Sequence, residues 1–180
     1  MADPSDLLID RTLVLLRHAK AVPPESMPES TPDLDRPLAD RGRADASAAG
    51  RHLVAQGIEA DLVLCSPSKR TRETWKYVAD AGVTATDVWY DKRIYDASTE
   101  ELLDVIHDTP PEARTVIVVG HAPGIPWLAD ELALDGTSPE RVELTQKYPT
   151  TGLAVLHLTC RWADLSADDA DLVSYVVPRG

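Results

Sequence analysis

The chain has 180 residues, 43% of them hydrophobic, which is enough for one domain with a buried core and too few to expect two. Eighteen Lys and Arg stand against 30 Asp and Glu, and the formal charge of -12 argues against a nucleic-acid partner or an anionic membrane surface. The acidity is uneven, because residues 1–76 hold 11 of the basic and 12 of the acidic side chains, so a local basic pocket fits in that half.

The two cysteines, Cys65 and Cys160, each border an apolar run and lack metal-type spacing, which reads as reduced thiols in a cytosolic protein. Residues 1–10 are acidic with no apolar stretch of signal length, and nowhere do 18 uncharged apolar residues follow one another. The expectation is a cytoplasmic protein whose single domain is preceded by a tail over residues 1–11.

In chain order, Leu13, Val14, Leu15 and Leu16 form the short continuous apolar run of a parallel strand buried on both faces, and Arg17-His18 ends it. Residues 21–37 carry five prolines and several acids, a loop expected to pass over the mouth of that strand. A helix follows over about residues 41–56, with Ala46, Ala49 and Leu53 on one face, Asp40 as candidate N-cap and Gly57 as the stop. Leu62 to Cys65 repeats the buried-strand pattern. Ser66-Pro67 then opens a helix to about residue 81, with Ser66 as N-cap, Pro67 at the first helical position and Arg70 in the first turns, near an end that favours anions.

Val88-Trp89-Tyr90 is a weaker strand, and Ser98-Thr99-Glu100-Glu101 is a capping-box pattern opening a short helix. Thr115 to Val119 is the third strong apolar run, and it ends in Gly120-His121-Ala122-Pro123-Gly124 before a helix over about residues 125–133. Two more strands are expected over residues 152–158 and 172–177, whereas 134–150 and 159–171 read as polar surface connections. The alternation predicts a three-layer α/β/α sandwich with a mostly parallel central sheet. Short right-handed connections then bring Arg17, His18, Arg70 and His121 to one sheet edge.

An Arg-His pair alone is weak evidence, and Arg51-His52, inside a predicted helix, is a second one with an ordinary solvated reading. His107 at a helix end and His157 in a strand read as structural. His18 and His121 differ, because each directly follows a buried strand. Two histidines and two arginines at one site suggest phosphoryl transfer through a phosphorylated histidine. Arginine forks match phosphate oxygens, nearby positive charge keeps the nucleophilic imidazole neutral, and no metal or other cofactor is required.

With these residues in order, the sequence resembles the histidine phosphatase, or phosphoglycerate-mutase-like, superfamily over residues 12–133. Arg17-His18 resembles its Arg-His-Gly motif, Ser66-Pro67-Ser68-Lys69-Arg70 with Thr74 its second-arginine segment, and Gly120-His121-Ala122-Pro123 its second-histidine segment. The small size, Arg17-His18-Ala19-Lys20 and the segment Asp35-Arg36-Pro37-Leu38-Ala39-Asp40-Arg41-Gly42 look most like compact phosphohistidine phosphatases of the SixA type. The resemblance implies His18 as the phosphorylated nucleophile, with Arg17, Arg70 and His121 completing the phosphate pocket and a phosphohistidine protein or small phosphate ester as substrate.

Two departures stand out. Ala19 replaces the usual glycine, and the glutamate that serves as general acid toward esters corresponds to Asp96, shorter and without the usual glycine-rich sequence after it. An imidazole leaving group needs less acid help than an alkoxide, so the departure tilts the expectation toward phosphohistidine. The alternatives are a phosphatase of small esters, a phosphoglycerate-mutase-like enzyme and, from another class, a non-catalytic phosphate-binding module. A cysteine phosphatase is set aside because Cys-x5-Arg would require an arginine where Thr71 stands, and no zinc-hydrolase ligand pattern occurs.

Overall fold

A computed structural model describes residues 10–134 and 136–180. Of the expected tail, residues 1–9 lie outside the described residues, and Arg11 already begins the first strand. The elements are β1 (Arg11–Arg17), α1 (Asp40–Ala55), β2 (Ala60–Cys65), α2 (Lys69–Asp80), β3 (Ala85–Tyr90), α3 (Thr99–His107), β4 (Thr115–Gly120), α4 (Gly124–Leu132), α5 (Pro139–Gln146), β5 (Leu153–Leu158) and β6 (Ala170–Val176). They form a mixed α/β domain around a six-stranded sheet of order β3-β2-β4-β1-β5-β6.

Pairing is parallel among β1, β2, β3 and β4 and antiparallel where β5 joins β1 and β6. The apolar runs carry no polar alternation because both sheet faces are covered. Leu13, Leu15, Leu62, Leu64, Val116 and Val118 pack with Leu102, Ile106, Leu128 and Leu132 of α3 and α4. The residues between them, Val14, Leu16, Val63, Cys65, Ile117 and Val119, pack with Leu53, Trp75 and Val78 of α1 and α2.

Helix ends follow the expected chemistry with two exceptions. Gly57 and Gly82 stop α1 and α2 at φ of +69° and +113°, which suits a residue without Cβ. Ser98 caps α3, with the reciprocal Glu101 bond completing the capping box. Asp40 does not cap α1. It is the first helical residue, Ala39 is the N-cap without a side-chain bond, and the Ala39 amide donates instead to Lys20 O at 2.9 Å. The N-cap of α2 is Ser68 rather than Ser66, because the β2 ladder continues through the Ser66 amide, which donates to Val119 O at 3.0 Å.

The connections expected to be polar surface are partly structured and buried. Ser138 caps α5, which buries Leu144, and Tyr148 donates from its hydroxyl to Leu15 O at 2.7 Å. Trp162, 1% exposed, donates from its indole to Ala113 O at 2.7 Å, and β6 begins at Ala170, earlier than expected. Each of these segments holds isolated apolar residues among charged ones, so no period betrays the buried face. Residue 135, within the first of them, lies outside the described residues.

Candidate active site

Parallel register sets the site. Arg17 pairs with Gly120 and Cys65 with Val119, so β1, β2 and β4 end at one level. The His18 amide continues the β1–β4 ladder to Gly120 O at 2.9 Å. His18, Ser66 and His121 therefore emerge side by side at the carboxyl edge, and α2 brings Arg70 into the same place. The ring centroids of His18 and His121 are 5.2 Å apart, and Arg70 Nη2 lies 3.3 Å from His121 Nδ1. These three side chains are thus brought together, and Arg17 ends β1 immediately before His18.

The hydrogen bonds define the ring tautomers. A carbonyl oxygen only accepts, so His18 Nδ1, 2.8 Å from Ala19 O, carries the proton and Nε2 keeps its lone pair. A guanidinium only donates, so His121 Nδ1 accepts from Arg70 and Nε2–H donates to Ser66 Oγ at 2.8 Å. Burial lowers His18 to about 3, with His121, Arg70 and Arg17 adding to the effect against the Ala19 hydrogen bond. Burial and then Arg70 lower His121 to about 4. Desolvation, more than the arginines, is what holds His18 neutral.

Arg17 donates from Nη1 to Tyr148 O at 2.8 Å. The Nε groups of Arg17 and Arg70 are both buried without a protein acceptor, two donors that an anion would satisfy. The Ala19 amide donates to Thr74 Oγ1 at 3.0 Å, and Thr74 in turn donates to Arg70 O at 2.6 Å. This ties the His18 loop to α2 and accounts for Thr74 in the second-arginine segment. The 35–42 segment has a related role: the Leu38 amide donates to Glu73 at 2.6 Å, and Gly42 abuts the Lys20 main chain so closely that a Cβ would lie 2.0 Å from Lys20 O.

Asp96 is exposed at φ +51° and carries neither hydrogen bond nor ion pair. Its neighbour Tyr95 faces the site instead, edge-on to His121 with 5.3 Å between centroids. The Tyr95 hydroxyl donates to Asp33 Oδ2 at 2.6 Å, and that carboxylate also meets Arg70 Nη2 at 2.9 Å. Burial pushes the Asp33 carboxyl up, but hydrogen bonds from Tyr95, Arg36 and Arg70 outweigh it and hold the group at about 2. The proline-rich loop does reach the mouth of the first strand, through Asp33. Sequence reading missed Asp33, Tyr95 and the contact of Ser66 with His121. Asp33 is one of four acids in its loop with nothing to single it out, while Tyr95 adjoins a residue already under consideration.

Cys65 is buried, and burial pushes its thiol up to about 12, so it supplies no thiolate beside Arg70. Arg51-His52 lies within α1, and His107 Nε2 meets Leu165 O at 2.9 Å, away from the site. Among the described residues no helix is long and apolar enough to cross a membrane.

Comparison with known proteins identifies the family. Residues 13–100 match the family model of the histidine phosphatase superfamily, branch 1. An uncharacterized protein of Mycobacterium leprae is 36% identical over 165 residues, spanning 91% of this chain and all of the relative. A solved structure from Nakamurella multipartitia, provisionally named phosphohistidine phosphatase SixA, is 36% identical with a TM-score of 0.82, covering 94% of this chain and 96% of that one. Another, from Agrobacterium tumefaciens and provisionally named in the same way, is 28% identical with a TM-score of 0.75, covering 93% and 98%. The chain belongs to the histidine phosphatase superfamily and is a histidine-type phosphatase.

Proposed function

We propose that the protein dephosphorylates phosphohistidine side chains of other proteins through a covalent phosphohistidine on His18. The observation that carries this reading is the His18 ring itself, with Nδ1 fixed on Ala19 O and Nε2 left as a lone pair beside Arg70 and His121. In the proposed reaction His18 Nε2 attacks phosphorus, the leaving group departs on the opposite side, and water hydrolyses the phosphoenzyme. Arg17 and Arg70 neutralise the phosphoryl oxygens as charge develops, and His121, its Nε2–H held by Ser66, keeps the Arg70 guanidinium in place through Nδ1.

The choice of substrate class rests on two supports. No buried acid stands ready for an alkoxide among the residues described at the site, since Asp96 is exposed and Asp33 is held ionised. The SixA names of the similar structures from Nakamurella and Agrobacterium point the same way. Free Cys65 and Cys160 fit a cytoplasmic setting.

The test is to incubate the protein with phosphohistidine, a phosphorylated histidine-containing domain and p-nitrophenyl phosphate in EDTA, alongside His18→Ala. Turnover of the two phosphohistidine substrates that vanishes in His18→Ala is expected. Turnover persisting in that variant would refute the mechanism, and faster turnover of the ester would move the substrate class to phosphate esters.

A further inference from the structure

Asp33 stands at the outer rim of the pocket, its side chain 48% exposed where that of Arg70 is 4% exposed. It grips the end of the Arg70 guanidinium twice. The Asp33 main-chain oxygen accepts from Nη1 at 2.8 Å, and Oδ2 lies 2.9 Å from Nη2. Tyr95 Oη at 2.6 Å and Arg36 Nε at 2.8 Å hold the carboxylate from two further directions. Arg70 Nε remains buried without a protein acceptor, so a phosphoryl oxygen can bind through Nε without displacing Asp33. An anion thus stays beside the phosphate seat, on the side open to solvent. In-line displacement carries the leaving group away from His18, and a leaving group borne by another protein lies on the side open to solvent.

A fixed carboxylate there opposes an oxygen leaving group, which departs with growing negative charge, and favours a protonated nitrogen base. We propose that Asp33 determines the specificity of this site: its carboxylate accepts a hydrogen bond from the N–H of a phosphorylated nitrogen heterocycle, so the pocket selects P–N over P–O bonds. The inference rests on the His18 reading above. The substrate imidazole enters phosphorylated on one nitrogen and protonated on the other. The bond from His18 Nε2 to phosphorus forms as the P–N bond breaks, and the electron pair returns to the substrate nitrogen. The imidazole leaves neutral, its remaining N–H still donated to Asp33. Water then forms the new P–O bond and gives one proton to solvent, the P–Nε2 electron pair returns to His18, and inorganic phosphate departs.

The experiment compares kcat/KM for phosphohistidine and for p-nitrophenyl phosphate in the unaltered protein, Asp33→Asn and His18→Ala. Asp33→Asn is expected to lower the phosphohistidine value about tenfold, the effect of one charge-assisted hydrogen bond, and to raise the ester value. The ratio of the two values does not depend on the fraction of protein that is folded, so a merely structural effect of the substitution leaves it unmoved. A ratio unchanged within about twofold while His18 remains essential overturns the Asp33 inference and leaves the His18 mechanism standing. Turnover that survives His18→Ala, or no turnover of either substrate, overturns both.

Discussion

The Ala19 amide and the Thr74 hydroxyl are bonded at 3.0 Å, and through this contact α2 holds the main chain that immediately follows His18. Thr74 is fully buried, and its single proton goes to Arg70 O. One hydroxyl therefore couples the turn bearing the proposed nucleophile to the turn bearing the second arginine. The contact also shows why alanine suffices at position 19, which is fully buried and does not adopt a positive φ.

Thr74→Val keeps the shape and removes the hydroxyl, leaving the buried Ala19 amide without an acceptor. The expected cost is about 1–3 kcal/mol of stability, read by urea unfolding, with a fall in kcat that exceeds any change in KM.

Ser66→Ala tests the orientation of His121. Loss of the 2.8 Å bond frees Nε2–H from its partner while leaving the β2 and α2 backbone intact. Phosphohistidine turnover is expected to fall about tenfold in kcat, roughly one hydrogen bond's worth of transition-state positioning, with about 1–3 kcal/mol of stability lost because the buried Nε2–H is left without an acceptor.

Gly42→Ala places a methyl group 2.0 Å from Lys20 O, against main chain that cannot swing aside as a side chain would. Overpacking of about 1–3 kcal/mol is expected in a thermal or chemical melt, together with reduced activity, since the Lys20 segment continues directly from His18 and Ala19.

The histidines also make stability depend on pH. Burial chiefly keeps His18 neutral down to about 3 and His121 down to about 4, whereas the ordinary imidazole value is 6.5. Below about pH 6.5 the unfolded chain binds more protons than the folded one, so the contribution of this pair is lost as the pH falls toward the folded values and is constant above. Asp33 acts in a lower window: its carboxyl lies at about 2 in the fold against an ordinary 3.8, so its contribution is present above about pH 4 and is lost as the pH falls through 2. Urea midpoints measured between pH 4 and 7 should drop on the acid side, and less so in His18→Gln.

Asp96→Asn is expected to change phosphohistidine turnover by less than about twofold, because asparagine also tolerates a positive φ and the imidazole leaving group needs little acid assistance. Steady-state kinetics on the pair of proteins checks this.

The sequence alone determined the strands that build the site. Leu13 to Leu16, Leu62 to Cys65 and Val116 to Val119 are buried on both faces, so their apolar runs are continuous and legible, and the residues that end them had to lie at strand ends. It also marked Arg17, His18, Arg70 and His121, because each sits at a fixed short distance from such a run. Only the tertiary structure decided which side chains from outside those junctions enter the pocket. Asp33 lies 37 residues from Arg70, in a proline-rich loop of short 3-10 turns that imposes no period, so its sequence position says nothing of where it lands. Trp162 and Tyr148 were hidden for the same reason, single apolar anchors without a repeat, and Ser66 was read as a helix cap because the range of its hydroxyl to His121 depends on two strands ending in register. Local pattern encodes burial; the meeting of distant polar groups is encoded only by the packed fold.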